Sequence, residues 1–131
     1  MKILITGGCG FIGSILVNQL LEQRHDVTVV DTQWFGNFLT KHKNLIIKKK
    51  DFRDLNIVEF NKIDSIIHLA NIANDPGVEL NPLLSWDVNV LGLKELLQNA
   101  IKKKVKQFIF SSSGSVYGIK EEAEVTEDLD L

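Results

Sequence analysis

The opening thirteen residues, MKILITGGCGFIG, restrict the fold of this chain more than any other stretch of it. KILIT (2–6) is a short apolar run cut off by glycines, the pattern of a strand buried on both faces. From Phe11 onwards the apolar residues Phe11, Ile12, Ile15, Leu16, Leu20 and Leu21 recur at helical spacing, which predicts a helix to about Gln23. Between the two lies Gly8-Cys9-Gly10-Phe11-Ile12-Gly13, with Gly7 three residues ahead of Gly10. Three spaced glycines alone are a weak signal. Three glycines that follow a predicted strand and open a predicted helix are the fingerprint of a dinucleotide-binding turn. The first glycine permits the tight turn, Gly10 lets backbone N–H groups approach a pyrophosphate, and Gly13 lets the helix pack closely on the strand. The helix N-terminus adds unpaired donors and the positive end of its dipole.

The rest of the chain continues the same plan. DVTVVD (26–31), NLIIKK (44–49), SIIHLA (65–70) and QFIFSS (107–112) read as four further strands. Asn81 followed by Pro82 has the form of an N-cap and first helical turn. The helix it starts carries Leu83, Leu84, Trp86, Val90, Leu93, Leu97 and Ile101 towards a core and ends in lysines that suit its negative pole. Strands alternating with helical or crossover segments predict an α/β fold, a doubly wound parallel sheet of the Rossmann type, here reaching as far as its fifth strand. Asp31 closes the second strand eighteen residues beyond Gly13, near the distance at which a carboxylate accepts from an adenosine ribose hydroxyl. A carboxylate there repels a 2′-phosphate, which favours NAD over NADP. The competing reading is that Asp31 only ends a strand and caps a turn.

Composition bears on partners. The net charge of −2 over 131 residues gives no reason to expect nucleic acid or an anionic membrane. The lysine clusters KHKN, IIKKKD and IKKKVK are read as solvated ends of strands and helices. No apolar run approaches the ~18 residues of a membrane span. The N-terminal apolar run is too short for a secretory signal. The single cysteine, Cys9, precludes an internal disulfide, as expected of a cytoplasmic protein. Cys9 reads as a small residue that fits its loop and His68 as a satisfied core histidine. No Cys/His/carboxylate cluster has metal-ligand spacing, so no metal is expected. Trp34 and Phe35, just past Asp31, suit either stacking or loop packing.

Six stretches, ITGGCGFIG (5–13), VVD (29–31), KDFRD (50–54), HLAN (68–71), DVNVLG (87–92) and FIFSSSGSVYG (108–118), resemble in order the extended short-chain dehydrogenases/reductases. The match is to their NAD-dependent epimerase/dehydratase branch, which acts on nucleotide sugars. The resemblance implies NAD as cofactor, held by Gly7, Gly10, Phe11, Ile12, Gly13 and Asp31. It places Asp51 and Phe52 at the adenine, and Leu69, Ala70 and Asn71 on the nicotinamide side. Asn89 would face the cofactor from the long helix, Ser111 would lie near the nicotinamide ribose, and Ser113 would be the catalytic serine. Residues 71–82 would form a loop over the cofactor.

Departures from that family pattern qualify the activity. The family's base is a tyrosine with a lysine four residues on, a spacing that brings both to one helix face, where the ammonium lowers the phenol pKa. The one tyrosine here, Tyr117, has Glu121 at that position and Lys120 a residue earlier. The tail EVTEDLDL (124–131) resembles the loop just ahead of the family's tyrosine. Residues 1–131 are therefore expected to be an NAD-binding domain without the substrate-binding part. By this reading they are inactive alone, and a nucleotide sugar is a partner only if that part is supplied. A non-catalytic NAD-binding module and one half of a split enzyme are the alternatives. An apolar fifth strand left as an edge predicts marginal stability or a homo-oligomer.

Overall fold

The computed structural model describes residues 1–73, 75–119 and 126–128. Lys120, Glu121 and most of the 124–131 tail lie outside the described residues. The described strands are β1 (Lys2–Thr6), β2 (Asp26–Asp31), β3 (Leu45–Lys49), β4 (Ser65–His68) and β5 (Gln107–Phe110). They form one parallel sheet in the order β3-β2-β1-β4-β5. Helix α1 (Phe11–Glu22) carries the chain from β1 to β2. Two short 3-10 turns, Phe52–Asp54 and Ile57–Phe60, lie between β3 and β4. Between β4 and β5 come α2 (Asp75–Leu80), α3 (Pro82–Trp86), a π-helical stretch Asp87–Gly92 and α4 (Leu93–Lys102). The doubly wound α/β fold read from the sequence is thus the fold observed, with β4 and β5 each two residues shorter than expected. Residues 71–82, expected as a loop, contain α2.

Alternation along the strands builds two cores, one on each face of the sheet. Ile3, Ile5, Val27, Val29 and Ile67 point to the side covered by Val17 and Leu21 of α1. Leu4, Val30 and Ile66 point to the other side, where they meet Phe52, Phe60, Val88, Leu96 and Ala100. Each such aliphatic side chain contributes about 1.5–3 kcal/mol on burial, so both layers are needed to hold the sheet.

The long helix does not bury the stripe expected of it. Asn81 caps α3 through its side chain, which accepts from the Leu84 N–H at 3.0 Å, and Pro82 opens the first turn as predicted. Leu83, Trp86 and Ile101, however, are exposed, and Val90 and Leu97 largely so. The buried line is instead Ser85, Val88, Gly92, Leu96 and Ala100. Three of those five are small because the helix presses close: a Cβ on Gly92 would lie 2.9 Å from both Phe52 and Arg53 side-chain atoms. Two apolar stripes run along this helix, and periodicity alone favours the bulkier one.

The sheet's winding reverses at β1, which has β2 on one side and β4 on the other. All strands being parallel, their carboxyl ends share one edge. The crevice beyond that edge at the reversal is where open α/β sheets bind ligands.

Candidate functional site

A cleft occupies that crevice. Its floor is the glycine turn after β1, contributing Gly7 and Gly10. One wall is the end of β2 and the loop beyond it, with Asp31, Trp34 and Phe35. The end of β3 supplies Lys50, Asp51 and Phe52, and the chain leaving β4 supplies Leu69, Ala70, Asn71 and Ile72. Val88 of the π-helical stretch completes the lining on the long-helix side.

The turn is built from backbone. The Gly7 N–H donates to the Val30 carbonyl at 2.9 Å, and the Gly10 N–H to the Gly7 carbonyl at 3.2 Å. Gly7 has φ +75°, a conformation that costs an L-residue about 1–2 kcal/mol. A Cβ there would lie 2.5 Å from the Ala70 nitrogen, so the turn also sits hard against the end of β4. Gly13 is pressed into the turn itself, its Cβ position 2.6 Å from the Gly8 Cα and 2.7 Å from the Gly7 oxygen. The close approach expected at Gly13 is therefore to the glycine turn. Gly10 is different: apart from the Gly7 oxygen at 3.3 Å, the space beside it is open. The first turn of α1, beginning at Phe11, has no intrahelical partner for its N–H groups.

Asp31 ends its strand and caps a turn, as the competing reading has it, and it also lines the cleft. Its Oδ1 accepts from the Gln33 N–H at 2.6 Å, capping the turn after β2, and its Oδ2 accepts from the Cys9 N–H at 2.9 Å. One carboxylate thus ties the β2 loop to the glycine turn while it lines the cleft. Cys9 is buried beneath, and burial followed by the nearby Asp31 charge pushes its thiol up to about 11. It is a protonated small residue at neutral pH, in line with the reading that it simply fits.

Asp51 is gripped by Arg53. The guanidinium donates to both carboxylate oxygens, Nη2 at 2.7 Å and Nε at 3.1 Å, and the Arg53 backbone N–H adds a bond of 2.9 Å. The Arg53 bonds hold Asp51 below the usual carboxylate range against the opposing effect of burial. Lys50 is paired with Glu59 at 2.9 Å and Lys48 with the same carboxylate at 2.8 Å, so part of the basic run IIKKKD is spent on an ion-pair network.

His68 ends β4 directly beside β1. Its Nδ1 lies 2.6 Å from the Thr6 hydroxyl, and its ring is flanked by Phe52, Phe108 and Phe110. Burial pushes its pKa down to about 4. It is the satisfied core histidine expected from its position.

Of the residues singled out from the sequence, the cleft gathers Gly7, Gly10, Asp31, Asp51, Phe52, Leu69, Ala70 and Asn71. Phe11, Ile12 and Gly13 belong to the turn and the start of α1 without lining it. Asn89 is taken up elsewhere: its side chain accepts from the Ile72 N–H at 2.9 Å and donates to the Ile72 carbonyl at 3.0 Å, fastening the chain after β4. Ser111 and Ser113 follow β5 and are exposed at the same sheet edge. The Ser113 hydroxyl accepts from the Ser115 N–H at 3.2 Å and caps the 3-10 turn Gly114–Tyr117.

Sequence reasoning gave no role to Lys50 or Val88, and held Ile72 only within the 71–82 stretch expected over the cofactor. Lys50 opens the KDFRD stretch and was within reach of the motif, whereas Val88 enters the cleft through a π-helical stretch that periodicity does not reveal. Trp34 and Phe35, left between stacking and packing, stand exposed at the lip of the cleft. Among the described residues no helix is long and apolar enough to cross a membrane.

Comparison with known proteins bears on the fold and the family. The UDP-glucose 4-epimerase of Lactobacillus helveticus is 35% identical over the whole of this chain, which spans 41% of that enzyme's length. UDP-glucuronic acid decarboxylase 1 of Danio rerio is 36% identical over 97% of the chain and is covered to 31%. In structure, the UDP-N-acetylglucosamine 4-epimerase of Methanobrevibacter ruminantium superposes with a TM-score of 0.90 at 32% identity, over 98% of this chain and 43% of that one. The UDP-glucose 4-epimerase of Thermus thermophilus, solved as a complex with NAD, superposes at 0.86 with 32% identity, over 98% and 43%. The model of the NAD-dependent epimerase/dehydratase family matches residues 3–131, and the chain belongs to that family.

Proposed function

We propose that residues 1–131 are the NAD-binding domain of a nucleotide-sugar epimerase or dehydratase, and that alone they bind NAD without turning over a sugar. The observation that carries this reading is the continuity of the cleft, from the glycine turn past the Asp31 carboxylate to Asp51 and Phe52. A dinucleotide fits such a site. Open space at Gly10, backbone donors and the start of α1 suit a pyrophosphate. An acceptor at Asp31 suits ribose hydroxyls, and an aromatic beside a second carboxylate suits a purine.

In this reading Gly7, Gly10, Phe11, Ile12 and Gly13 form the pyrophosphate cradle. Asp31 holds the adenosine ribose, and Asp51 and Phe52 hold the adenine. Leu69, Ala70 and Asn71 face the nicotinamide end, with Ser111 beside its ribose. NAD, when bound, supplies a hydride acceptor and donor at a sugar carbon. Asn89 acts through Ile72, keeping the backbone after β4 at the cleft. Ser113 is the catalytic serine that holds the reacting sugar hydroxyl, a role supported by a hydroxyl that accepts from Ser115 and so keeps its own O–H to donate. Its general base is not among these 131 residues, which contain no tyrosine with a lysine four positions on. The names of the relatives support a nucleotide sugar as the substrate of the whole protein.

The test is a calorimetric titration of the chain with NAD and NADP, for the wild type and Asp31→Ala. Saturable binding that favours NAD is expected. Asp31→Ala should weaken NAD by about tenfold or more, the value of a hydrogen bond to a charged group, and narrow the preference. Unchanged affinity for both dinucleotides in the variant would remove Asp31 from the site.

A further inference from the structure

Arg53, beside the cleft, has a purpose that neither the fold nor the proposed binding residues account for. Its guanidinium lies between two carboxylates from distant parts of the chain. On one side it forks onto both oxygens of Asp51, and on the other it donates through Nη1 to Asp87 at the start of the π-helical stretch. Asp51 stands between two depressions, lining both the dinucleotide cleft and a second groove, whereas Arg53 and Asp87 line only the second groove. Arg53 therefore reaches Asp51 from outside the cleft. A planar fork fixes the plane of a carboxylate as well as its charge, which a lysine ammonium cannot do. The Gly92 position keeps the fork seated, since a side chain there would strike the Arg53 Cγ at 2.9 Å.

We propose that Arg53 is a positioning residue for base recognition: held from behind by Asp87, it fixes the Asp51 carboxylate as an oriented, acceptor-only group in the cleft. Such a group selects a purine that presents an amino donor over one that presents a carbonyl oxygen. This deepens the NAD-binding reading and rests on it. The ligand pair that isolates the effect is NAD and nicotinamide hypoxanthine dinucleotide, which differ in a 6-amino against a 6-oxo group and in N1, an acceptor in adenine and an N–H donor in hypoxanthine. An ionised carboxylate held in plane with the 6-position bonds the first and faces the oxygen lone pairs of the second, whereas one free to turn reaches the N1–H of hypoxanthine instead.

The experiment measures dissociation constants of both dinucleotides for the wild-type chain, Arg53→Gln, Arg53→Lys and Asp87→Asn. The wild type should prefer NAD by about tenfold or more. Arg53→Gln should reduce that ratio to about threefold or less while leaving affinity for the hypoxanthine dinucleotide within about twofold. Arg53→Lys, which restores charge without the fork, should recover part of the ratio, and Asp87→Asn should lower it without touching Asp51. A wild type that binds both dinucleotides equally overturns the inference and leaves NAD binding intact. So does an Arg53→Gln chain that loses affinity for both in parallel, which would mark Arg53 as merely structural. Should Arg53→Gln fail to fold, an unchanged ratio in Asp87→Asn and Arg53→Lys also overturns it. No binding of either dinucleotide to the wild type overturns the reading beneath it as well.

Discussion

Replacing Gly10 and Gly13 in turn by alanine separates ligand binding from folding within a single motif. At Gly13 a new Cβ falls 2.6 Å from the Gly8 Cα and 2.7 Å from the Gly7 oxygen, backbone atoms that are themselves held by the Gly7–Val30 bond. Overpacking of this kind costs about 1–3 kcal/mol, and backbone neighbours put it at the upper end. At roughly 3–5 °C per kcal/mol for a chain of this size, the melting temperature should fall by about 10 °C. At Gly10 the nearest atom is 3.3 Å away and nothing else lies within 4 Å. Gly10 is the N-cap of α1, where alanine is worse by about 0.5–1 kcal/mol. The reduced freedom of the unfolded chain returns about 0.4–1 kcal/mol. Stability of Gly10→Ala should stay within about 1 kcal/mol of the wild type. Its methyl group enters cleft space, however, and NAD affinity should fall at least tenfold, or about 1.4 kcal/mol. Urea denaturation gives the first quantity and calorimetric titration the second. A Gly10→Ala chain as destabilised as Gly13→Ala, yet binding NAD normally, would refute the assignment of the two glycines.

Two further outcomes follow from buried and exposed groups. His68, with its pKa lowered to about 4 against an ordinary 6.5, leaves the unfolded state binding the extra proton between those values. Stability is therefore complete above about pH 6.5 and lost as pH falls towards 4, by about 3 kcal/mol in all and about 2 kcal/mol of that by pH 5. Denaturation of His68→Gln at the two pH values should show a smaller difference than the wild type, and an equal difference would remove His68 as the cause. At the sheet edge, Ile109 and Phe110 of β5 are each more than two-fifths exposed. Concentration-dependent association of the chain is the expected outcome in light scattering, and Ile109→Lys should reduce it; a wild type that stays monomeric, or association unchanged in the variant, would refute this reading of the edge.

Much of this was legible in the sequence because the determining signals are local. A strand buried on both faces reads as an unbroken apolar run, so β1 and β2 stand out with their observed bounds, and β4 and β5 differ only where the chain turns away from the sheet. The glycine turn is legible because its work is done by backbone, and only the absence of side chains permits it. The helix faces were not legible. Ser85, Gly92 and Ala100 are core residues by virtue of being small, Gly92 directly against Phe52 and Arg53, and no periodicity of bulky residues points to them. Val88 and Asn89 depend on the π-helical stretch, which shifts the face each residue presents. Arg53 is illegible for another reason: its second partner, Asp87, is 34 residues away and meets it only in the folded chain.

Everything proposed for this protein depends on the crevice at the reversal of the sheet holding a dinucleotide. Backbone amide chemical shifts followed during titration with NAD decide whether it does. The amides of Gly7, Gly10, Phe52 and Ala70 should move together along one saturation curve, while those of Ile46 and Ile109, on outer strands away from the cleft, stay in place. No perturbation at millimolar NAD, or perturbation confined to the surface around Arg24 and His42, would contradict it.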